Sequence, residues 1–278
     1  MQSILFGLSA AIGWGAGDFM GGLVSRRINV VRVTMYVQGF GLLPALVIAL
    51  FTRDISMSLA DWLWCGSAGV IGSLGFLALY RALAEGQMSA AAPIAAIVSA
   101  GLPVIVGAWR DGLPSKFTLA GFALALAAIW LVSQSGNERD IRLQLKQLGK
   151  PFLAGLGAGI YFIFLNHGSQ TSLFAPLVAV RGAGGLALLI VAAFSRELHL
   201  PTRDVLPLVI LNTIVDVSGS FFFILAGQSG RMDVAAVLGS LYSGVTALLA
   251  WLILREKISS RQWVGIVIAL LAIILITI

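Results

Sequence analysis

From Ser3 to the last residue the chain alternates long apolar runs with short polar breaks. The runs are about 20 residues long, enough to cross a ~30 Å hydrocarbon core as helices. Gly, Pro and charge punctuate them and predict ten spans at 3–24, 31–51, 61–83, 88–109, 116–134, 151–168, 174–195, 204–227, 233–254 and 261–278. The first has no basic stretch before it and is too long for a signal-peptide core, so it reads as a retained span. The expected fold class is an all-α integral membrane protein.

Composition supports that reading: 59% of the 278 residues are apolar and 11% charged, against roughly 25% charged in soluble domains. Mean hydropathy is +0.97. The net charge of +6 is scattered over short loops and forms no patch, which excludes nucleic acid as a partner and leaves the lipid bilayer. Cys65 has no partner cysteine, and His167 and His199 have no metal-ligand spacing, so neither metal nor cofactor is expected. Of the 18 Lys and Arg, thirteen lie by loops that follow odd-numbered spans and four by loops that follow even-numbered ones. The positive-inside rule then makes the first set cytoplasmic and puts both termini outside, in the periplasm of a bacterial inner-membrane protein.

The longest polar stretch, SQSGNERDIRLQLKQLGK from Ser133 to Lys150, has five spans on either side. It reads as the joint of a duplication: a first repeat at 1–135, a cytoplasmic linker at 136–150 and a second repeat at 151–278. Offsets of 142 to 144 align GWGAG (13–17) with GLGAG (155–159), FTRD (51–54) with FSRE (194–197), Met88 with Met232, Ser115 with Ser259 and Gly121 with Gly265. Five spans is an odd number, so the halves would be inverted. Inverted repeats mark many secondary transporters, whose substrate site lies near the midplane between halves that alternate access.

The hairpin SLYSGVTALLAWLILREKISSRQWVGIVIALLAIILIT (240–277) resembles the end of an EamA-type domain of the drug/metabolite transporter superfamily. APIAAIVSAGLPVIVGAWRDGLPSKFTLAGFALALAAIWLVS (92–133) resembles the same domain in the first half. The resemblance implies two EamA repeats around a central cavity lined mainly by the first, third and fourth helices of each, with the last pair supporting packing or dimer contacts. A loop glutamate common in the family is kept as Glu256, while the first half has Gly112 beside Asp111; a proline common in the family is Ser243 here. The expected assembly is a monomer or homodimer.

Three ionisable residues sit inside spans: Asp18, Arg181 and Asp216. Each costs roughly 2.5–3.5 kcal/mol at a helix centre, so all three should face protein or water. Arg181 and Asp216 lie on consecutive spans at heights that allow them to touch. Their repeat counterparts are Gln38 and Gly72, and that of Asp18 is Ile160, so charge has been added asymmetrically to a symmetric scaffold. Gly13, Gly17 and Gly21 form a ridge for close packing, with Trp14 and Asp18 on the adjacent stripe. An indole beside a carboxylate suits an ammonium group, and a carboxylate at that depth makes Asp18 the proton-coupling candidate. Asn212, Asp216, Ser220 and Phe223 share one helical face. Tyr80, Tyr161 and Asn166 complete the candidate substrate-binding set. Arg81, Glu85 and Glu256 lie near span ends and suit a solvated role.

Gly15-Ala16-Gly17-Asp18 also matches the GxGD motif of intramembrane aspartyl proteases, with Asp216 as the second carboxylate. That family's other aspartate follows a tyrosine and precedes GxGD, whereas Asp216 follows Val215 and comes later. No catalytic residues are assigned. A channel is the third reading, and the inverted repeat with few polar positions favours alternating access. The expected function is secondary transport of a small polar or amphipathic metabolite, an amino acid or amine, in the export direction. Uptake of a choline-like quaternary amine is the alternative.

Overall fold

The computed structural model describes residues 1–84, 88–133, 149–255 and 259–277. Among them every regular element is a helix: α1 Gln2–Ser25, α2 Val30–Phe51, α3 Leu59–Ala84, α4 Met88–Asp111, α5 Lys116–Ser133, α6 Gly149–Gly168, α7 Phe174–Phe194, α8 Leu206–Gln228, α9 Met232–Gly239, α10 Tyr242–Leu254 and α11 Ser260–Thr277. Among the described residues, six segments are long and apolar enough to cross a membrane: α1, α2, Leu59–Leu79 of α3, α7, α8 and Met232–Leu254, which spans α9 and α10. Their outward faces carry exposed side chains such as Leu186, Leu189 and Ile190, which suits contact with lipid tails. Most of the expected linker, together with Glu85 and Glu256, lies outside the described residues, as does the side chain of Arg81.

The repeat detected in sequence recurs in local structure. Ser115 Oγ accepts from the Thr118 amide and Ser259 Oγ from the Gln262 amide, so aligned serines start α5 and α11. Gln262 Oε1 in turn accepts from the Ser259 amide, completing a capping box. Ser58 and Asp61 form a similar hydroxyl cap at α3.

One element differs from expectation. The single span read over 233–254 is two helices, broken between Gly239 and Tyr242. The Ser240 hydroxyl bonds back to the Ala236 carbonyl, and the Leu241 amide reaches only to the Leu238 carbonyl, a tighter turn than an α-helix makes. At this break α1 presses close: a Cβ on Gly15 would lie 2.6 Å from the Tyr242 carbonyl oxygen, and Thr246 Oγ1 donates to the Gly15 carbonyl.

The two halves pack reciprocally. α1 runs along α8 as α3 runs along α6, and α4 lies on α6 as α9 and α10 lie on α1; α2 meets α7, and α5 meets α11. These contacts recur with the halves exchanged, the pattern a two-fold relation produces. Gly13 fits against Gly219 and Gly157 against Gly75, where an added Cβ would come within 2.7 and 3.1 Å of the facing Cα. This pairing corrects the sequence alignment of α1 with α6 by two residues, so that Asp18 answers to Phe162 rather than to Ile160. The glycines were matched by local similarity, whereas the helix contacts fix the register.

Candidate functional site

Between the halves, α1, α2, α3, α6, α7 and α8, with Tyr242 of α10, line a cavity of about 100 Å³. The helix ends nearest to it join the loops that carry Arg26, Arg27, Arg196 and Arg203. Asp18, Thr34 and Asp216 in its lining are half-buried, so among the described residues the cavity is open toward that end. The opposite end is closed. There Trp14 stacks on Phe162 at a centroid distance of 5.3 Å and meets Phe223 at 5.4 Å. Beyond this aromatic layer Ser3 Oγ donates to the Ala226 carbonyl, Gln228 Nε2 to the carbonyls of Ser169 and Ser172, and Arg231 to the carbonyls of Asp111 and Gly112. Arg231 is also paired with the fully buried Asp233 at 2.8 Å, a bond that raises the guanidinium above its ordinary pKa.

The polar centre of the cavity is one connected network. Arg181 Nη1 lies 2.6 Å from Asp216 Oδ2 and donates to Gln38 Oε1 at 2.8 Å, while Nη2 donates to Ser220 Oγ at 3.2 Å. Gln38 Nε2 donates to Ser73 Oγ at 2.7 Å, which turns the amide oxygen toward the arginine. Gly184 makes room for this arrangement, since a Cβ there would be 2.5 Å from Ser73 Oγ and 2.8 Å from Gln38 Nε2. The Arg181 side chain is 4% exposed and that of Asp216 23%. A buried guanidinium thus has a counter-charge and two neutral acceptors, which offsets the cost of taking it out of water.

Ser220 is a second hub. Tyr161 Oη, Arg181 Nη2 and Trp14 Nε1 point at its Oγ from 3.2, 3.2 and 3.4 Å, and it donates to the Asp216 carbonyl at 3.3 Å. A hydroxyl oxygen accepts two hydrogen bonds. One of the three donors is therefore always available to another acceptor, such as a polar group entering the cavity.

Of the predicted site residues, Trp14, Asp18, Tyr161, Arg181, Asn212, Asp216 and Ser220 all line the cavity. Two do not. Phe223 is fully buried behind Trp14 and Phe162, because its helical stripe continues past the cavity into the aromatic layer. Asn166 lies near the closed end, where its carbonyl accepts from Gln170 and its side-chain amide is wedged against Gly227. The side chain of Tyr80 lies outside the described residues. Sequence reasoning missed Gln38, Ser73, Phe162 and Tyr242 as lining residues. Gln38 had a usable signal, since it is the repeat counterpart of Arg181; a lone serine or phenylalanine in an apolar span carries none.

The fold and cavity define a multi-pass membrane protein made of two related halves. The model of the EamA-like transporter family matches residues 1–134 and again 151–278. The chain belongs to the EamA-like transporter family, and it is a membrane transporter of the drug/metabolite type. A solved structure described only as "Crystal structure of protein" superimposes with a TM-score of 0.74 over 97% of this chain and 96% of its own, at 13% sequence identity, a likeness of fold. No curated protein matches the sequence. Membership in a transporter family favours transport over the protease reading.

Proposed function

We propose that this transporter moves a small amine-bearing metabolite by alternating access, and that Asp18 and Asp216 form the cation-attracting side of its site. The observation that carries the reading is the pairing of Arg181 with Asp216. That pairing occupies the arginine, and among the described residues the cavity lining also carries Asp18, a carboxylate of the sign that attracts a cation. Trp14, Tyr161 and Phe162 add ring faces of the kind that attract ammonium groups. The ten spans in two inverted repeats, the bacterial inner membrane, the periplasmic termini and export as the direction belong to the same proposal. The arginine-bearing loops at the open end support a cytoplasm-facing cavity.

A zwitterionic amino acid is the second reading. It is favoured by Arg181 Nε, which is buried with no acceptor among the described residues and would suit a substrate carboxylate.

Flux in proteoliposomes tests the proposal, with labelled choline, putrescine and alanine as probes. Saturable flux with counterflow for at least one of them, lost in Asp18→Asn, is the expected result. Wild-type flux from Asp18→Asn would sink the assignment, and non-saturating flux without counterflow would favour a channel.

A further inference from the structure

The loops FTRD and FSRE are built alike and do the same work at the two ends of one helix pair. Arg53 and Arg196 both adopt the left-handed conformation, with φ of 56° and 57°, which residues bearing a side chain rarely enter without a structural reason. The amides that follow reach back equivalently, Asp54 to the Ala49 carbonyl and Glu197 to the Ala192 carbonyl, at 2.9 and 2.8 Å. This turn throws each carboxylate across to the other repeat. Asp54 accepts from Ser172 Oγ at 2.6 Å and from the amides of Leu173 and Phe174 at 2.8 Å, capping the start of α7. Glu197 accepts from Asn29 Nδ2 at 2.9 Å and Arg32 Nε at 2.6 Å, at the start of α2.

Ser172 and Asn29 themselves occupy matching places, with the offset of 143 that also relates Arg181 to Gln38. The two clasps are thus a repeat-related pair at the opposite ends of the 22-residue α2, roughly 33 Å apart at 1.5 Å per residue. Between them Arg181 of α7 bonds to Gln38 of α2. Gates that alternate would be formed at the closed end and broken at the open one. Here both are formed in a structure whose cavity, among the described residues, is open toward one end.

We propose that Asp54 and Glu197 are positioning residues that clasp α2 to α7 at both ends, so that these helices stay joined as a fixed pair while the others move around them. The inference rests on the alternating-access reading, and it divides the moving parts across the repeats instead of between them. It keeps the Arg181–Gln38 contact intact through the cycle.

The test is short-range dipolar EPR on the full chain in lipid nanodiscs, in a Cys65→Ala background at acidic and neutral pH. Nitroxide pairs go at Ser56→Cys with Thr171→Cys, at Arg27→Cys with Leu198→Cys, and, away from the clasps, at Leu113→Cys with Ser229→Cys. One short distance at both clasp pairs, with two distances at the third pair, is the expected result. A second distance at either clasp pair overturns the proposal. If all three pairs stay fixed, the alternating-access reading fails and the proposal falls with it. Asp54→Ala should add a longer distance at the first pair alone and Asp54→Glu should remove it; an unchanged spectrum in Asp54→Ala contradicts the clasp.

Discussion

Arg181 and Gln38 occupy matching positions 143 residues apart in the two repeats and hydrogen-bond to each other at 2.8 Å. A duplicated scaffold has here been made chemically unequal: one copy of the position carries a permanent charge and the other a neutral amide that accepts from it. The amide helps to hold the guanidinium but cannot neutralise it, so the arginine depends on Asp216 for its counter-charge. That dependence turns Arg181 from a ready carboxylate ligand into a matched internal cation.

Asp216→Asn should therefore destabilise the protein more than Arg181→Gln does. It strands a buried guanidinium, at a cost of about 3 kcal/mol or more, whereas Arg181→Gln leaves a carboxylate that is 23% exposed and can turn to water. Unfolding midpoints of the two variants and of the double variant check this. The double variant should recover stability relative to Asp216→Asn, and an additive loss would show that the pair is not the relevant interaction.

Gly219→Ala should weaken the seam between α1 and α8. A Cβ added there would meet the Trp14 ring at 2.6 Å, just as one on Gly13 would meet Gly219, and overpacking of this kind costs about 1–3 kcal/mol. The expected signature is a lowered midpoint together with red-shifted Trp14 emission in a variant whose other tryptophans are replaced. Gly22→Ala on α1, where an added Cβ meets nothing within 4 Å, should be neutral.

The architecture was legible in the sequence because each of its signals is local or periodic. Apolar runs gave the helices, and FTRD with FSRE gave a match that recurs as a shared turn. Asp18, Arg181 and Asp216 stood out because charge is costly in an apolar span. Phe223 and Asn166 were misplaced for one reason: helical spacing says which residues share a stripe, not which neighbouring helix covers it. The Ser240–Leu241 break was hidden because it arises from a serine back-bond and the close approach of α1, neither of which alters the hydropathy of the run. The role of Gln38 became visible only when Ser73 and Gly184 fixed the orientation of its amide.

If Asp18 carries the coupling proton, Asp18→Asn should uncouple transport from a pH gradient. Flux of a transported amine into proteoliposomes should then be the same with and without an imposed gradient, while wild-type flux responds. A gradient response that survives in Asp18→Asn would move the coupling role to another group.

The proposal that Asp18 and Asp216 make the cavity a site for cations is checked by thermal stabilisation of the purified protein with choline, putrescine, alanine and acetate. Ligand binding to the native state raises the unfolding midpoint, by the equivalent of about 2.7 kcal/mol at a hundredfold excess over Kd. Stabilisation by one or more of the amine-bearing compounds, none by acetate, and loss of the effect in Asp18→Asn are the expected results. Stabilisation by acetate alone, lost in Arg181→Gln and unchanged in Asp18→Asn, would contradict the proposal.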